Sequence, residues 1–531
     1  MSASAFILVN PLAIRQQLAS GEEVAFIDIR EAGEYGNGHA LLAVNLPWSE
    51  LEFRVGQLIP RLSTPIIVQD EVGDERAVTA AQRLQQLGYQ DIRLAQGGVQ
   101  GWQQAGYPLF HGVNVPSKAF SEWIEREAHT PTLNAETLAE WQQQNKPHLL
   151  LDGRTPEEFQ QFHIPGAINC PNGELVSWVS AYAAKPALPI VITCAGRTRG
   201  IIGAQSLIDA GIRQPVLALA GGTQAWRIAH LPLTLNDNRA WRPGERVNDS
   251  GRSLHHPAIQ QVDNWQPEKD ASRTTYLFDV RSREEYLQGS WPGAVWVPAG
   301  QLIQTLDEHV GTRAARIVLF DPQHSRAQVA AWWLYQLGWD VSILTDAAGV
   351  QPPTAVVVAL PALFPPVASL TASAAQAEYQ PGDIILLADR SKNLAKPTLQ
   401  GGYWVNRATL AQHVATLPKD RVLWVFARQS SLAWAVAWDL ISRYALHAKV
   451  VQGDEDDWRA AGWQFAAQPL SLTEAERIDY LFWLHDRHSG NLQASADYLA
   501  WEAGLPAAVD EDGLHGFRRL LPQAQAEEAL Q

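Results

Sequence analysis

The stretch that decides the fold is PIVITCAGRTRGIIGAQSLIDAG, residues 189–211. Its first five residues form a short apolar run, which is typical of a buried parallel strand. A tight turn begins at Cys194, and an amphipathic helix then runs to Gly211, a glycine placed as a C′ cap. The order of strand, turn and helix predicts an α/β domain whose chemistry lies at the carboxyl end of a strand.

The same arrangement recurs four times along the 531 residues, and we number the copies modules one to four. Each begins with an apolar strand ending in Asp-x-Arg or, in the fourth copy, a looser match: AFIDIR (Asp28, Arg30), LLLDGR (Asp152, Arg154), YLFDVR (Asp279, Arg281) and ILLADR (Asp389, Arg390). Successive copies lie 110–127 residues apart, about the size of one small α/β domain. The repeat therefore predicts four tandem, doubly wound parallel-sheet domains followed by a helical C-terminal extension.

Composition shifts suggest where the modules end. The predicted boundaries are 1–115, 116–240, 250–355 and 366–468, with the extension over 469–531. A polar linker, 236–253, is expected to separate a front pair of modules from a back pair, and a Pro-rich linker, 351–366, to join modules three and four.

The extension carries its own helix signals. Ser471 and Glu474 have the spacing of a capping box ahead of an apolar-periodic segment, and a second helix is expected to end near Gly504 and Pro506. Because apolar helix faces usually bury within their own chain, we expect the extension to pack on module four.

Composition excludes several classes of function. Lys and Arg number 41 against 56 Asp and Glu, a net charge of −15, which argues against nucleic acid or an anionic membrane as a partner. Two cysteines exclude a disulfide scaffold and a four-cysteine metal site, and suit a reducing cytoplasm. His485 and His488 alone are weak evidence for a metal, and since no Gly-rich nucleotide loop follows a strand, we expect neither metal nor cofactor.

The turn after the module-two strand carries the chemistry. Backbone N–H groups at a strand-to-helix turn are expected to converge on the Cys194 sulfur, and Gly196 and Gly200 let the chain curl closely around it. Arg197 and Arg199 add positive charge, so the sequence predicts a favoured thiolate and a cradle for an anion. Cys170 has no basic neighbours and is expected to be a packing residue.

Four motifs of module two together resemble the rhodanese (sulfurtransferase) family. They are the Asp-x-Arg strand, HIPGAIN (163–169), CAGRTR (194–199) and the LAGG…W ending (219–226). The resemblance is close in module two, clear in modules one and three, and present in outline in module four. It implies that Cys194 accepts a sulfane sulfur from thiosulfate or a similar donor as a persulfide, and passes it to cyanide or to a small-molecule or protein thiol.

The resemblance also implies a substrate-binding set around Cys194. The expected members are Ala195, Gly196, Arg197, Thr198, Arg199 and Arg154. For Arg154 a structural interpretation competes, because Arg30 and Arg281 occupy the same position in other modules. His163 shares its turn pattern with His39, which favours a turn-stabilising histidine over an acid–base residue.

The position of Cys194 holds no sulfur in the other modules. Asp70 occupies it in module one, Asp321 in module three and Ala427 or its neighbour in module four. A carboxylate cannot carry a persulfide, so we expect these modules to be catalytically silent. By the resemblance, module one would serve as the docking partner of module two.

Two other functions remain open from the sequence. A phosphatase or arsenate reductase also uses a Cys-and-Arg loop, although phosphatases of this fold resemble Cys-x5-Arg whereas Cys194 to Arg199 is Cys-x4-Arg. A non-catalytic interaction scaffold, with Cys194 as a redox or persulfide sensor, would account for three modules without cysteine in the loop.

Overall fold

The computed structural model describes residues 6–182, 188–237, 254–263, 265, 272–353 and 366–521. Every module contains one five-stranded parallel sheet with the same strand order. From edge to edge, the strands of module one are β1 (Ile7–Val9), β5 (Ile92–Ala95), β4 (Ile66–Gln69), β2 (Ala25–Asp28) and β3 (Val44–Asn45), and those of module two are β6 (Thr132–Leu133), β11 (Val216–Leu219), β10 (Ile190–Thr193), β7 (Leu149–Asp152) and β9 (Ile168–Asn169). In the same order, the strands of module three are β13 (Gln260–Val262), β17 (Asp340–Leu344), β16 (Arg316–Phe320), β14 (Thr275–Asp279) and β15 (Val295–Trp296). Those of module four are β18 (Ala368–Leu370), β23 (His447–Val451), β22 (Val422–Phe426), β19 (Ile384–Leu387) and β21 (Gly402–Trp404).

Helices connect these strands, as parallel pairing requires. Module one has α1 (Pro11–Ala19), α2 (Ala32–Gly36), α3 (Leu51–Leu58), α4 (Glu75–Gln86) and α5 (Gly98–Gln104), and module two has α6 (Val115–Ala128), α7 (Ala135–Gln143), α8 (Pro156–Gln161), α9 (Leu175–Tyr182), α10 (Thr198–Asp209) and α11 (Gly222–Ile228). Module three has α12 (Arg283–Gln288), α13 (Ala299–Gln304) and α14 (Ser325–Gln336), and module four has α15 (Ala372–Glu378), α16 (Leu410–Val414), α17 (Ser430–Ser442) and α18 (Glu455–Ala460). The extension has α19 (Phe482–His485) and α20 (Leu492–Asp512). Two small antiparallel pairs complete the strands: β8 (Phe162–His163) with β12 (Thr234–Leu235), and β20 (Pro397–Leu399) with β24 (Phe465–Pro469).

The local sequence signals that we used to find the modules have clear structural counterparts. Gly211, which the sequence predicts to end a helix, has a φ of +73°, a region that glycine enters without strain, so this prediction is confirmed. Gly88 and Gly338 follow the corresponding helices of modules one and three, each with a φ of +97°. Trp102, Trp226 and Trp458 are buried core residues, and each indole N–H donates to a backbone carbonyl.

The chain divides into two compact units. Of the described residues, one unit holds those within 6–17, 24–112 and 366–482, and the other those within 18–23, 113–353 and 483–521. Modules one and four therefore share a unit, and modules two and three share the other. The prediction that module one pairs with module two is wrong, and so is the grouping into a front pair and a back pair.

Packing between α10 and α14 explains why module two pairs with module three. The Trp332 indole N–H donates to Asp209 at 3.0 Å, and that of Trp333 to Ser206 at 2.8 Å. Both tryptophans are buried in a hydrophobic cluster that runs through the two modules. The buried indole N–H groups of module three therefore find their hydrogen-bond acceptors in module two, as buried tryptophans require.

In the other unit a buried arginine joins modules one and four. Arg407 donates to both oxygens of Glu52 at 2.6 and 2.8 Å, and its Nε donates to Asp439 at 3.0 Å. Phe53 stacks on Trp438 beside it, with ring centroids 5.4 Å apart. A buried guanidinium is costly unless carboxylates accept its N–H groups. The Arg407 ion pairs therefore favour the pairing of module four with module one.

The extension begins differently from the prediction. The capping box at Ser471 and Glu474 is absent, and a reciprocal pair forms two residues later, where the Thr473 N–H donates to Glu476 at 2.7 Å and the Glu476 N–H to the Thr473 hydroxyl at 3.3 Å. This pair closes a turn, and the first helix of the extension, α19, begins only at Phe482.

The second helix of the extension is longer than predicted. α20 continues through Gly504 and Pro506 and ends at Gly513, where φ is +72°. Burial of Leu505, Pro506 and Val509 offsets the backbone hydrogen bond that proline removes. α20 packs on α6 and α11, so for this helix the prediction that the extension packs on module four is wrong.

Some sequence predictions fall on other parts of the chain. The linkers 236–253 and 351–366 lie largely outside the described residues, as does the side chain of His488. Within the ranges that the structure covers, no helix combines the length and apolar character needed to cross a bilayer.

Candidate active site

Cys194 lies where the central strand β10 ends and the chain turns into α10. β10 is buried throughout and pairs with β7 on one side and β11 on the other. Since the carboxyl ends of parallel strands face a crevice at one sheet edge, the thiol occupies the position where α/β proteins bind ligands. The Cys194 side chain itself is only 2% exposed.

The first turn of α11 supports the loop that begins at Cys194 through backbone hydrogen bonds. The Thr223 N–H donates to the carbonyl of Cys194 at 2.8 Å, and the Gln224 N–H to that of Ala195 at 3.1 Å. Gly222 makes this approach possible, because a Cβ there would lie 2.3 Å from the Cys194 oxygen and 2.6 Å from the Gly196 oxygen. The predicted LAGG ending is thus a support for the loop that carries Cys194.

Loop amides point at the residue in the Cys194 position in three modules. In each, the N–H that follows the loop arginine donates to that residue: Gly200 to the Cys194 Sγ at 3.3 Å, Ala77 to Asp70 at 3.1 Å and Ala327 to Asp321 at 3.4 Å. Asp70 also accepts from Gly73, and Asp321 from Gln323, at 2.5 and 3.1 Å. The carboxylates of the cysteine-free modules therefore fill an anion nest with their own charge.

The two loop arginines are already paired, contrary to the expectation of free positive charge. The Arg197 Nε donates to both oxygens of Glu122 at 2.7 and 2.8 Å, and its Nη2 donates to Glu125. Arg199 makes a bidentate pair with Glu158 at 2.6 and 2.8 Å. The carboxylates offset most of the charge that we expected to stabilise an anion.

The Arg199 pair is a repeated structural feature. Equivalent ion pairs join the loop arginine to the third residue of the preceding acidic helix, as Arg76–Glu34 in module one and Arg326–Glu285 in module three. A structural role therefore competes with the expected substrate role of Arg199. The signal was present in the sequence, since the Glu of each capping box and the Arg of each loop recur together.

Burial decides the state of the resting thiol. Burial raises the pKa of Cys194 above its usual value, and the nearby Arg199 and the Gly200 N–H lower it only in part. The predicted preference for thiolate is wrong for the resting site, because the desolvation cost exceeds the help from an arginine already bound to Glu158. The proton must leave when the sulfur reacts.

Arg154 lies at the end of β7 and is occupied by its own strand. It donates to Asp152 at 2.8–3.1 Å and to the carbonyl of Phe162, and it is buried. Arg30 and Arg281 make the same pairs in their modules. These contacts favour the structural interpretation of the Asp-x-Arg motif over a substrate contact.

Two further sequence predictions are confirmed by contacts. The His163 Nδ1 lies 3.1 Å from the Phe159 carbonyl, and its ring stacks on Phe159, so it braces the turn as His39 does on Tyr35. Cys170 is fully buried in the hydrophobic cluster, and burial raises the pKa of its thiol well above the usual value.

Sequence reasoning missed the residues that α20 brings to the loop. The Thr198 hydroxyl donates to Glu502 at 3.2 Å, and the Tyr498 hydroxyl donates to the same carboxylate at 2.7 Å. A Cβ at Gly196 would lie 3.2 Å from the Glu502 Oε2. Nothing local to Glu502 marks it, because its partners on the loop are about 300 residues earlier in the chain.

Asn172 is a second missed residue. Its Nδ2 donates to the Arg199 carbonyl at 2.9 Å, and its Oδ1 lies 2.0 Å from where a Cβ at Gly153 would be. Module three supports the same corner, because Arg326 donates to Glu174 two residues further on. The loop is thus braced by its own module and by module three.

Comparison with known proteins agrees with this geometry. The family model Rhodanese-like domain matches residues 12–105, 134–229 and 259–347. Module four lies outside these matches, although its sheet has the same strand order. A crystal structure of thiosulfate sulfurtransferase from Pseudomonas aeruginosa is 36% identical, with a TM-score of 0.89 over 97% of this chain and 100% of that one.

Curated relatives match shorter parts of the chain. Adenylyltransferase and sulfurtransferase MOCS3 of Drosophila persimilis is 35% identical over 88 residues, which is 16% of this chain and 20% of that protein. The chain thus spans about a fifth of the length of such relatives. Putative thiosulfate sulfurtransferase SseB of Mycobacterium tuberculosis is 22% identical over 236 residues, 38% of this chain and 82% of the relative.

Proposed function

The chain belongs to the rhodanese-like domain family, and on that premise we propose that it is a sulfurtransferase whose Cys194 carries the transferred sulfur as a persulfide. The observation that carries the proposal is the anion nest. Its amide at Gly200 points at a sulfur in module two, whereas the equivalent amides in modules one and three point at carboxylates. Among the loops that the structure describes, that of module two combines such an amide with a nucleophile.

The first half-reaction takes sulfur from the donor. The Cys194 thiol gives its proton to solvent, and the Sγ attacks the outer sulfur of thiosulfate. The S–S bond of the donor breaks, and its electron pair leaves on sulfite. The Gly200 N–H, which donates to the Sγ, is suited to stabilise the negative persulfide that results, and we expect the backbone of Ala195, Gly196 and Thr198 to add to this once the outer sulfur is in place. The similarity to the Pseudomonas aeruginosa thiosulfate sulfurtransferase supports thiosulfate as the donor.

The second half-reaction releases the sulfur. An acceptor such as cyanide attacks the outer sulfur of the persulfide, a new bond forms to that sulfur, and the Sγ–S bond breaks. Thiocyanate leaves and the electron pair remains on the Cys194 sulfur. Arg197 and Arg199 act here through their carboxylate pairs, which fix the loop that surrounds the persulfide.

The other modules have a supporting role in this proposal. Asp70 and Asp321 fill their nests with carboxylates, and Ala427 offers no nucleophile, so none of these positions can hold a persulfide. Module three braces the catalytic module through Arg326 and Glu174. Sulfur transfer is therefore expected to depend on module two, with module three as its structural partner.

Turnover of thiosulfate and cyanide to thiocyanate tests the proposal. The Cys194→Ser variant is expected to lose all transfer while it keeps its circular dichroism spectrum and unfolding midpoint. The matched control is Cys170→Ser, which alters the other buried thiol and should keep transfer within about threefold because Cys170 only packs. Thiocyanate formation by Cys194→Ser at the wild-type rate would overturn the proposal.

A further inference from the structure

One carboxylate oxygen at the catalytic loop has no described partner. Glu502 is 1% exposed, and its Oε1 accepts hydrogen bonds from Thr198 and Tyr498. Its Oε2 is buried and makes no hydrogen bond to any residue that the structure describes. A buried acceptor without a hydrogen bond costs free energy, so its presence in a folded protein calls for an explanation, of which a catalytic role is one.

The free oxygen lies against the backbone of the loop. It lies 3.2 Å from where a Cβ at Gly196 would be, and the Gln224 Nε2 and the Tyr498 ring lie 3.1 and 3.4 Å from the same point. The glycine therefore lets α20 approach the loop closely. The oxygen sits beside a residue only two positions from Cys194, near enough for the Glu502 charge to raise the pKa of that thiol.

Charged groups from two elements lie near Glu502. From α6 come Lys118, buried under the rings of Tyr498 and Trp501, and Glu122, which pairs with Arg197. From the extension comes Arg487, whose guanidinium carbon lies 3.5 Å from the Tyr498 ring centroid. The carboxylate is therefore part of a buried cluster of charged side chains beside the loop.

We propose that Glu502 is the proton acceptor when the sulfur on Cys194 passes to a thiol. The inference rests on the proposed function and extends it to the acceptor class. A free thiol has a pKa of about 8.5 and is mostly protonated near neutral pH, so a thiol acceptor needs a base. Sulfite reacts as an anion and brings no proton, so it needs none.

The step balances without a further reagent. The acceptor S–H gives its proton to the Glu502 Oε2, and the acceptor sulfur forms a bond to the outer sulfur of the persulfide. The Sγ–S bond breaks, its electron pair stays on the Cys194 sulfur, and the acceptor leaves as its persulfide anion. The proton then passes from Glu502 to solvent or to the Cys194 thiolate.

Single-turnover discharge tests the inference. The protein is loaded with thiosulfate, desalted, and mixed at pH 7.5 with 2-mercaptoethanol or with sulfite, and intact mass reports the loss of sulfur from Cys194. The variant is Glu502→Gln, which keeps the shape and removes the base. Glu511→Gln, an exposed residue on the same helix, is the control for the loss of one charge.

We expect Glu502→Gln to load normally and to discharge to sulfite at an unchanged or faster rate. Discharge to 2-mercaptoethanol should fall about tenfold at pH 7.5. The loss is smaller than the hundredfold or more of a typical general base because about a tenth of the thiol is already ionised at this pH, and it should narrow toward pH 9.5 as the thiol ionises by itself. Glu511→Gln should match the wild-type protein with both acceptors. If Glu502 had only a structural role, the variant would slow discharge to both acceptors by the same factor, and the loss with 2-mercaptoethanol would not shrink as the pH rises.

Each alternative result has a distinct meaning. The inference would be overturned if Glu502→Gln discharged to 2-mercaptoethanol at the wild-type rate, or if the variant slowed discharge to 2-mercaptoethanol and to sulfite by the same factor. Either result would leave the proposed function intact. A wild-type protein that takes up no sulfur from thiosulfate would overturn the proposed function, and the inference with it.

Discussion

The support of the catalytic loop by Gly222 gives a sharp prediction for Gly222→Ala. At this glycine φ is +53°, and an added Cβ would lie 2.3 Å from the carbonyl oxygen of Cys194. Close C···O contacts in proteins are about 3.3 Å, so the loop would have to move by about 1 Å. Residues 194–196 carry the nucleophile and its nest, so the shift acts directly on the reaction.

The expected magnitude has two parts. An L-residue in the left-handed region costs about 1–2 kcal/mol, which should lower the unfolding midpoint. A displacement of about 1 Å at a reacting group costs about a hundredfold in rate. Gly222→Ala should therefore lose about two orders of magnitude in thiocyanate formation and lose moderate stability.

Gly211→Ala is the matched control. Its φ is +73°, but no atom lies within 4 Å of the added Cβ, so the backbone cost is similar and the loop does not move. We expect a comparable loss of stability, measured by thermal unfolding, and transfer activity within about twofold of wild type. Wild-type turnover in Gly222→Ala, or an equal loss in both variants, would refute the role of Gly222 as loop support.

Three other measurements follow from burial and pairing. Because burial raises the pKa of Cys194, iodoacetamide should modify it at pH 7 more slowly than a model thiol, and Arg199→Ala should slow the reaction further; equal or faster rates would contradict this. Burial also raises the pKa of Glu122 from 4.5 to about 7, so the folded state binds the Glu122 proton more tightly than the unfolded state does. This proton adds to the free energy of unfolding in full below pH 4.5, and its contribution is lost as the pH rises through 7. Thermal unfolding against pH should show a shallower decline in Glu122→Gln, and an unchanged profile would contradict it. In urea unfolding, Trp333→Ala should cost about 3–5 kcal/mol, more than Ser206→Ala, which removes only the acceptor of its indole N–H.

Local sequence patterns predicted the module fold well because their causes are local. Apolar runs bounded by turns became buried strands, and Gly88, Gly211 and Gly338 took the positive φ that ends a helix. The position of Cys194 at a strand end followed from the same pattern. Repetition helped further, since a signal seen in several modules has several chances to be recognised.

Pairing between distant segments could not be predicted from local patterns. Nothing in the sequence near Trp332 says that it faces Asp209, or that Arg407 is buried between Glu52 and Asp439. The same limit applies to Arg197, whose positive charge was evident while its carboxylate partners on α6 were not. Pro506 misled the prediction of α20, because tertiary packing outweighed the local cost of proline.

The most direct test of the proposed chemistry is the intact mass of the purified, reductant-free protein. It would be measured before and after thiosulfate and again after cyanide, on the wild-type protein and on Cys194→Ser. We predict the gain of one sulfur atom, mapped to the peptide that contains Cys194, its loss to cyanide with release of thiocyanate, and no gain in the variant. A wild-type mass that thiosulfate leaves unchanged, or a sulfur that maps to Cys170, would contradict the assignment of Cys194 as the sulfur carrier.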